Sequence, residues 1–257
     1  MTGAIHARLQ RWNKRRRLYR RMRRLIREAG RGRGASIVLT GLPRIGKSVV
    51  AQRFCARHGY VHVPLDSALT YLKLLDDDDA RYRARLRLVD WLLRRGPKGL
   101  CIEGSDLHAG FPRYRELVAR RSAGEAGAGC NLSLPEGALR DLANRVGGRG
   151  AALFVAGCCD SPEAKGRALH EYRATGQCHT SNKFDDAQTD HLADIIVALS
   201  RDYARECAAT GVPFLDISSV DFDDAIDLSV ARITGALRAG VADNSAAWAA
   251  RPRRAAP

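Results

Sequence analysis

The chain has 257 residues, 45% of them hydrophobic, and a net charge of +15 at pH 7. That apolar content excludes a disordered chain, and no run approaches the ~18 apolar residues of a membrane-spanning helix. The charge sits at the ends: residues 1–33 carry thirteen Lys and Arg against Glu28 alone, residues 251–254 add three arginines, and the 27 basic and 27 acidic side chains of 34–250 cancel, so a partner drawn by charge meets the ends and not the body.

Residues 5–29 read as a basic amphipathic helix, with Ile5, Leu9, Trp12, Tyr19, Met22, Leu25, Ile26 and Ala29 recurring at three- and four-residue steps among arginines. Such an arm suits an anionic surface, either RNA or membrane, or an acidic partner; it also suits packing on its own body. Its Arg-rich, acid-poor composition is similar to that of an organelle transit peptide. Gly30, Gly32 and Gly34 end it.

From residue 35 short apolar runs alternate with helical stretches. "SIVLT" (36–40) reads as a buried strand and "VVAQRFCARHG" as a helix stopped by Gly59. "YVHVPLD" (60–66) is a second strand ending on an acid. Residues 76–96 form a helix with four acids at its start and Arg94 and Arg95 at its end, a polarity that suits the helix dipole better than a metal site, since adjacent helical positions point apart. "GLCIEG" (99–104) is the third strand, 122–131 a Gly-rich loop, and "PEGALRDLANRVGG" a helix. "AALFVAGCC" (151–159) and "VPFLDIS" (212–218) are the fourth and fifth strands. Helices are expected at 161–174, 187–209 and 222–238.

This alternation implies an α/β fold with a parallel sheet between two helical layers, binding its ligand beyond the carboxyl ends of the strands. The expected division is a basic arm (1–33), a globular body (34–240) and a flexible basic tail (241–257). Seven cysteines without a CxxC pair suggest reduced thiols and a cytoplasmic protein, and Cys178 and His179 near Cys158 and Cys159 lack zinc spacing.

One motif carries chemistry. "TGLPRIGKSVV" (40–50) places Gly41, Leu42, Pro43, Arg44, Ile45, Gly46, Lys47, Ser48 and Val49 in the spacing G-x4-G-K-S between a strand and a helix. Glycines let backbone N–H groups turn toward phosphate oxygens, the helix presents its positive end, Lys47 reaches the β and γ phosphates, and Ser48 is a ligand for Mg²⁺.

On this motif and its context, residues 35–238 resemble the P-loop kinases of nucleoside monophosphates, shikimate and other small molecules, and the phosphotransferases that inactivate antibiotics. Those kinases often carry a further Gly where this chain has Arg44. The resemblance implies a three-layer P-loop fold around a five-stranded parallel sheet, ATP and Mg²⁺ as cofactors, and transfer of the γ-phosphoryl group to a hydroxyl of a small molecule. It implies that Asp66, ending the second strand, binds the acceptor or takes its proton. Glu103, ending the third, would hold Mg²⁺ beside Ser48, with Asp106 as second candidate. Lys165 and Arg167, with Arg173 behind them, would supply lid charge after the fourth strand. Arg113 and Arg115 would recognise an anionic acceptor, and the loop 216–221 would pass the adenine. Two alternatives stand beside this reading: a sulfotransferase using the loop for a 5′-phosphate, and a non-catalytic ATP-binding regulatory or nucleic-acid-associated protein.

Overall fold

A computed structural model describes residues 2–29, 34–95, 98–105, 107, 120, 137–176 and 184–240. Five short strands, β1 (Ile37–Gly41), β2 (Val61–Pro64), β3 (Leu100–Glu103), β4 (Ala152–Gly157) and β5 (Phe214–Asp216), form one sheet in the order β2-β3-β1-β4-β5. All four pairings are parallel, with Val38 of β1 facing Ile102 on one side and Leu153 on the other. Every residue of β1, β3 and β4 is buried. Side chains alternate between the faces of a strand, so burial of all of them means both faces of the sheet are covered.

The helices are α1 (Thr2–Ala29), α2 (Lys47–His58), α3 (Leu69–Leu72), α4 (Asp78–Arg95), α5 (Ala138–Gly147), α6 (Pro162–Ala174), α7 (Asp186–Thr210) and α8 (Phe222–Arg238). α2 packs against β1, β2 and β3 and beside α8, while α5 and α7 pack on β4. Their ends follow local sequence. Gly59 stops α2 in the left-handed conformation, Ser161 caps α6 by accepting from the Ala164 N–H, and Asp185 with Gln188 forms a reciprocal capping box at α7.

Two departures from the sequence reading matter. β2 stops at Pro64, which has no N–H for the ladder, and Leu65–Ala68 turn into a 3-10 helix. Asp66 therefore stands on that turn and not on the strand. The acids 76–79 also divide their work: Asp77 accepts from the Ala80 N–H at the start of α4, Asp79 pairs with Arg83, and Asp76 pairs with Arg11 at 3.3 Å.

The second half of α1 belongs to the body. Leu18 and Met22 are buried in the common core, Leu25 and Ile26 pack against it, and Tyr19 meets Trp91 of α4 edge-on with ring centroids 4.9 Å apart. Its first half touches the body through the Arg11–Asp76 pair but leaves its apolar side chains uncovered: Ile5, Leu9 and Trp12 are 58%, 54% and 54% exposed. Among the described residues no helix is long and apolar enough to cross a membrane. The segment 241–257 lies outside the described residues.

Candidate active site

β1 runs to Gly41, where the backbone takes φ 137° and passes so close to β4 that a Cβ would lie 2.0 Å from the Ala156 carbonyl oxygen. Only glycine fits, in torsion and in space. Leu42 and Ile45 are then buried beneath the turn, while Pro43 and Arg44 ride over it. Arg44 holds φ 61°, and its guanidinium lies 5.1 Å from the centre of the Phe184 ring. Gly46, at φ 92°, precedes α2 without a side-chain cap, and the first turn of α2 carries no acid. The positive end of that helix is thus left to an external anion. The ring of Phe222, which opens α8, packs on Gly46 so closely that a Cβ there would meet it at 2.7 Å.

Lys47 is buried, and its Nζ donates to the Leu42 carbonyl, so the loop closes round its own ammonium. Burial lowers Lys47 to about 8, against the opposing pull of the Glu103 and Asp66 carboxylates and with a further push from Lys165. Glu103 is also buried, and burial alone would raise its carboxyl. Interactions with His62, Lys47 and the Ser48 hydroxyl outweigh that and hold it below the ordinary carboxylate range. His62 Nε2 stands 3.5 Å from Glu103 Oε2 and makes no hydrogen bond of good geometry among the described residues.

Asp66 is exposed beside this cluster. The protein wall behind its carboxyl raises its pKa through lost solvation, Glu103 raises it further, and Arg85 and Lys47 draw it back. Asp66, Glu103 and Lys47 are therefore coupled electrostatically around one point beyond the carboxyl ends of β1, β2 and β3.

Lys165 comes from the other side. It is buried, and its Nζ donates to the Arg44 carbonyl at 2.9 Å and to Ser219 Oγ at 3.1 Å, tying the loop to the segment after β5. Burial lowers its pKa despite the nearby Cys158 and Asp160. Asp160 in turn accepts from the Ser219 N–H, and Asp216 from the Cys159 N–H at 2.9 Å, so the ends of β4 and β5 are cross-braced.

Arg167 is not brought to this cluster. It is exposed, and two helical residues place it about 200° round α6 from Lys165. Arg173 is engaged elsewhere, donating to the Phe184 carbonyl at 2.8 Å and Thr189 Oγ1 at 3.2 Å and pairing with Asp186. Asp106, Arg113, Arg115, Cys178 and His179 lie outside the described residues. His62, Arg85, Asp160, Ser219 and Phe222 join the site although no motif marks them. Only the alternation of "HVPLD" and the turn residues of "DISSVD" hinted at the first and the fourth.

The donor set fits a hard divalent cation: a hydroxyl from Ser48 beside an ionised, buried carboxylate from Glu103. Among the described residues no three His, Cys, Asp or Glu side chains converge as a self-sufficient metal cage. Mg²⁺ is bound by one or two protein oxygens and completed by water and phosphate, and Ser48 and Glu103 would supply those protein oxygens.

No family model and no curated protein matches this chain. Among solved structures it is similar to shikimate kinase from Bacteroides thetaiotaomicron, at 15% identity over 80% of this chain and 99% of that one, with a TM-score of 0.48. It is similar to the YorR protein of Bacillus subtilis, solved with phosphorylated GDP, at 14% identity over 80% and 98% with a TM-score of 0.43. A gluconokinase from Sinorhizobium meliloti 1021 matches at 17% identity over 81% and 98% with a TM-score of 0.41. These are likenesses of backbone path, and the chemistry is argued from the residues alone.

Proposed function

We propose that the chain is an ATP-dependent phosphotransferase that moves the γ-phosphoryl group of ATP to a hydroxyl of a small molecule. One observation carries the reading: Lys47 is buried inside its own glycine-turned loop, within electrostatic reach of Glu103 and Asp66, with the Ser48 hydroxyl beside Glu103. A buried ammonium held at a destabilising position is suited to an anion that restores its lost solvation.

In this reading the loop amides and the first turn of α2 bind the phosphates, and Lys47 stabilises charge gathering on the β–γ oxygens. Ser48 and Glu103 hold Mg²⁺, which when bound supplies charge neutralisation on the phosphates. Asp66, whose raised pKa makes it a better proton acceptor than an ordinary carboxylate, takes the proton of the acceptor hydroxyl as its oxygen bonds to the γ-phosphorus and the bond to the bridging oxygen breaks. Lys165 fixes the loop through the Arg44 carbonyl and adds positive charge behind it. Residues 34–240 carry this chemistry, Arg113 and Arg115 are offered as acceptor contacts, Arg167 as a lid residue that reaches the site only by moving, and residues 1–33 and 241–257 as accessory.

The test is ATP consumption in the presence of Mg²⁺ against a panel of hydroxylated metabolites, nucleosides and antibiotics. An acceptor-dependent rate that falls by about 10²–10³ in Lys47→Ala and by about 10²–10⁴ in Asp66→Asn is expected. Nucleotide binding without consumption by any acceptor leaves a non-catalytic ATP-binding protein, and turnover unaffected by Lys47→Ala defeats the assignment of the loop.

A further inference from the structure

We propose that the first half of α1 is a docking site for an anionic phospholipid surface, independent of the phosphotransferase reading. At about 100° per residue, Ile5, Leu9 and Trp12 share one narrow arc of the helix, whereas the docked residues Leu18, Met22 and Leu25 share another centred roughly 140° away. The exposed stripe is therefore no continuation of the docked one: with the second half seated on the body, the first half faces sideways into solvent. Packing on its own body accounts for one apolar face of α1 and leaves the other uncovered.

What continues the exposed arc is charge. Arg16, Arg20, Arg23 and Arg27 fall within the same arc of roughly 80° as Ile5, Leu9 and Trp12, and all seven are exposed. Along one face the order is thus aliphatic, then Trp12, then a row of arginines, with no acid before Glu28. Ile5 to Trp12 spans about 10 Å and Arg16 to Arg27 about 16 Å. An interfacial helix buries its apolar part some 5–10 Å deep, keeps aromatic rings at the headgroup level and sets cations against lipid phosphates. The order along α1 repeats that order of depth if the helix meets the surface tilted, with its N-terminus inserted first.

Two details fit this reading. Arg16 lies over the Trp12 ring at 5.1 Å, joining the two regions. A hollow of about 370 Å³ lined by Trp12, Arg15, Arg16, Tyr19 and Trp91 opens at the same junction, with cationic and aromatic walls suited to a headgroup phosphate. RNA would use the arginines but has no use for Ile5 and Leu9, and the aromatic surface it would stack on is limited, since Tyr19 is already engaged by Trp91.

The full chain is sedimented with phosphatidylcholine vesicles with and without phosphatidylglycerol at physiological ionic strength, and tryptophan emission is read in parallel. Binding to the anionic vesicles alone, with a blue shift, is expected. Leu9→Glu and Arg20→Glu/Arg23→Glu should each weaken it at least about tenfold while leaving the thermal melt and the affinity for ATP unchanged. No binding to the anionic vesicles overturns the proposal, as does binding that survives Leu9→Glu, which would be charge adsorption only. A uridine homopolymer that binds wild type and Leu9→Glu alike, with no vesicle association, overturns it in favour of RNA.

Discussion

Lys47 is where charge and shape meet most sharply. The shift from 10.5 to about 8 means that holding the charged ammonium in the loop costs about 3 kcal/mol. The cost is present below pH 8 and fades as pH rises toward 10.5, because over that window the unfolded chain keeps a proton that the folded one gives up. Phosphate oxygens favour the charged form. Nucleotide binding above pH 8 should therefore take up a proton, and affinity should fall as pH rises through about 8. Calorimetry in buffers of different ionisation enthalpy reads the uptake, and Lys47→Met should abolish it. Gly41 makes the second residue-scale prediction. A methyl group 2.0 Å from a backbone oxygen at φ 137° has no room to relax, so Gly41→Ala should lower stability by about 3 kcal/mol or more in denaturant titrations. A loss under 1 kcal/mol would mean the β1–β4 approach is looser than described. From sequence, glycine and lysine were marked by their spacing alone; the close approach of Ala156 was not, since it depends on which strand lies beside β1.

At the scale of elements the periodic patterns were legible almost end to end. The expected strand at 36–40 is Ile37–Gly41, the helix at 76–96 is Asp78–Arg95, and the helix at 222–238 is Phe222–Arg238. Boundaries moved where one residue overrode the pattern, as Pro64 did in cutting β2 short. α1 shows the limit of periodicity: one list of apolar residues at helical steps concealed two faces with different fates. Met22 anchors the docked half, fully buried where α1 meets the body. Met22→Ala should raise amide exchange through residues 18–27 while the sheet stays protected, because the cavity it leaves weakens the attachment of one element and not the core of the others. Equal loss of protection in β1 and β4 would instead make α1 part of a single cooperative unit.

For the molecule as a whole, the site assembles from segments far apart in the chain: the loop at 41–48, the turn at 65–68, Glu103, Lys165 and Ser219. A ligand that bridges them should stabilise the entire fold. At a hundred times its Kd, Mg-ATP would add about 2.7 kcal/mol, enough to raise Tm by several degrees, and Lys47→Ala should remove most of that rise. No shift in wild type would count against the nucleotide site. The sequence by itself determined the alternation of strands and helices, the phosphate-loop motif, the acid ending the third strand, and the segregation of charge to the ends, because each is written in local spacing or composition. Only the tertiary structure decided the strand order that brings Glu103 beside Ser48, the reach of Lys165 to the Arg44 carbonyl, the turning away of Arg167, and the split of α1 into a docked and an exposed face. The first two depend on distances between residues remote in sequence; for the helices, spacing gives the angle between residues, and only packing decides which side is turned to the body.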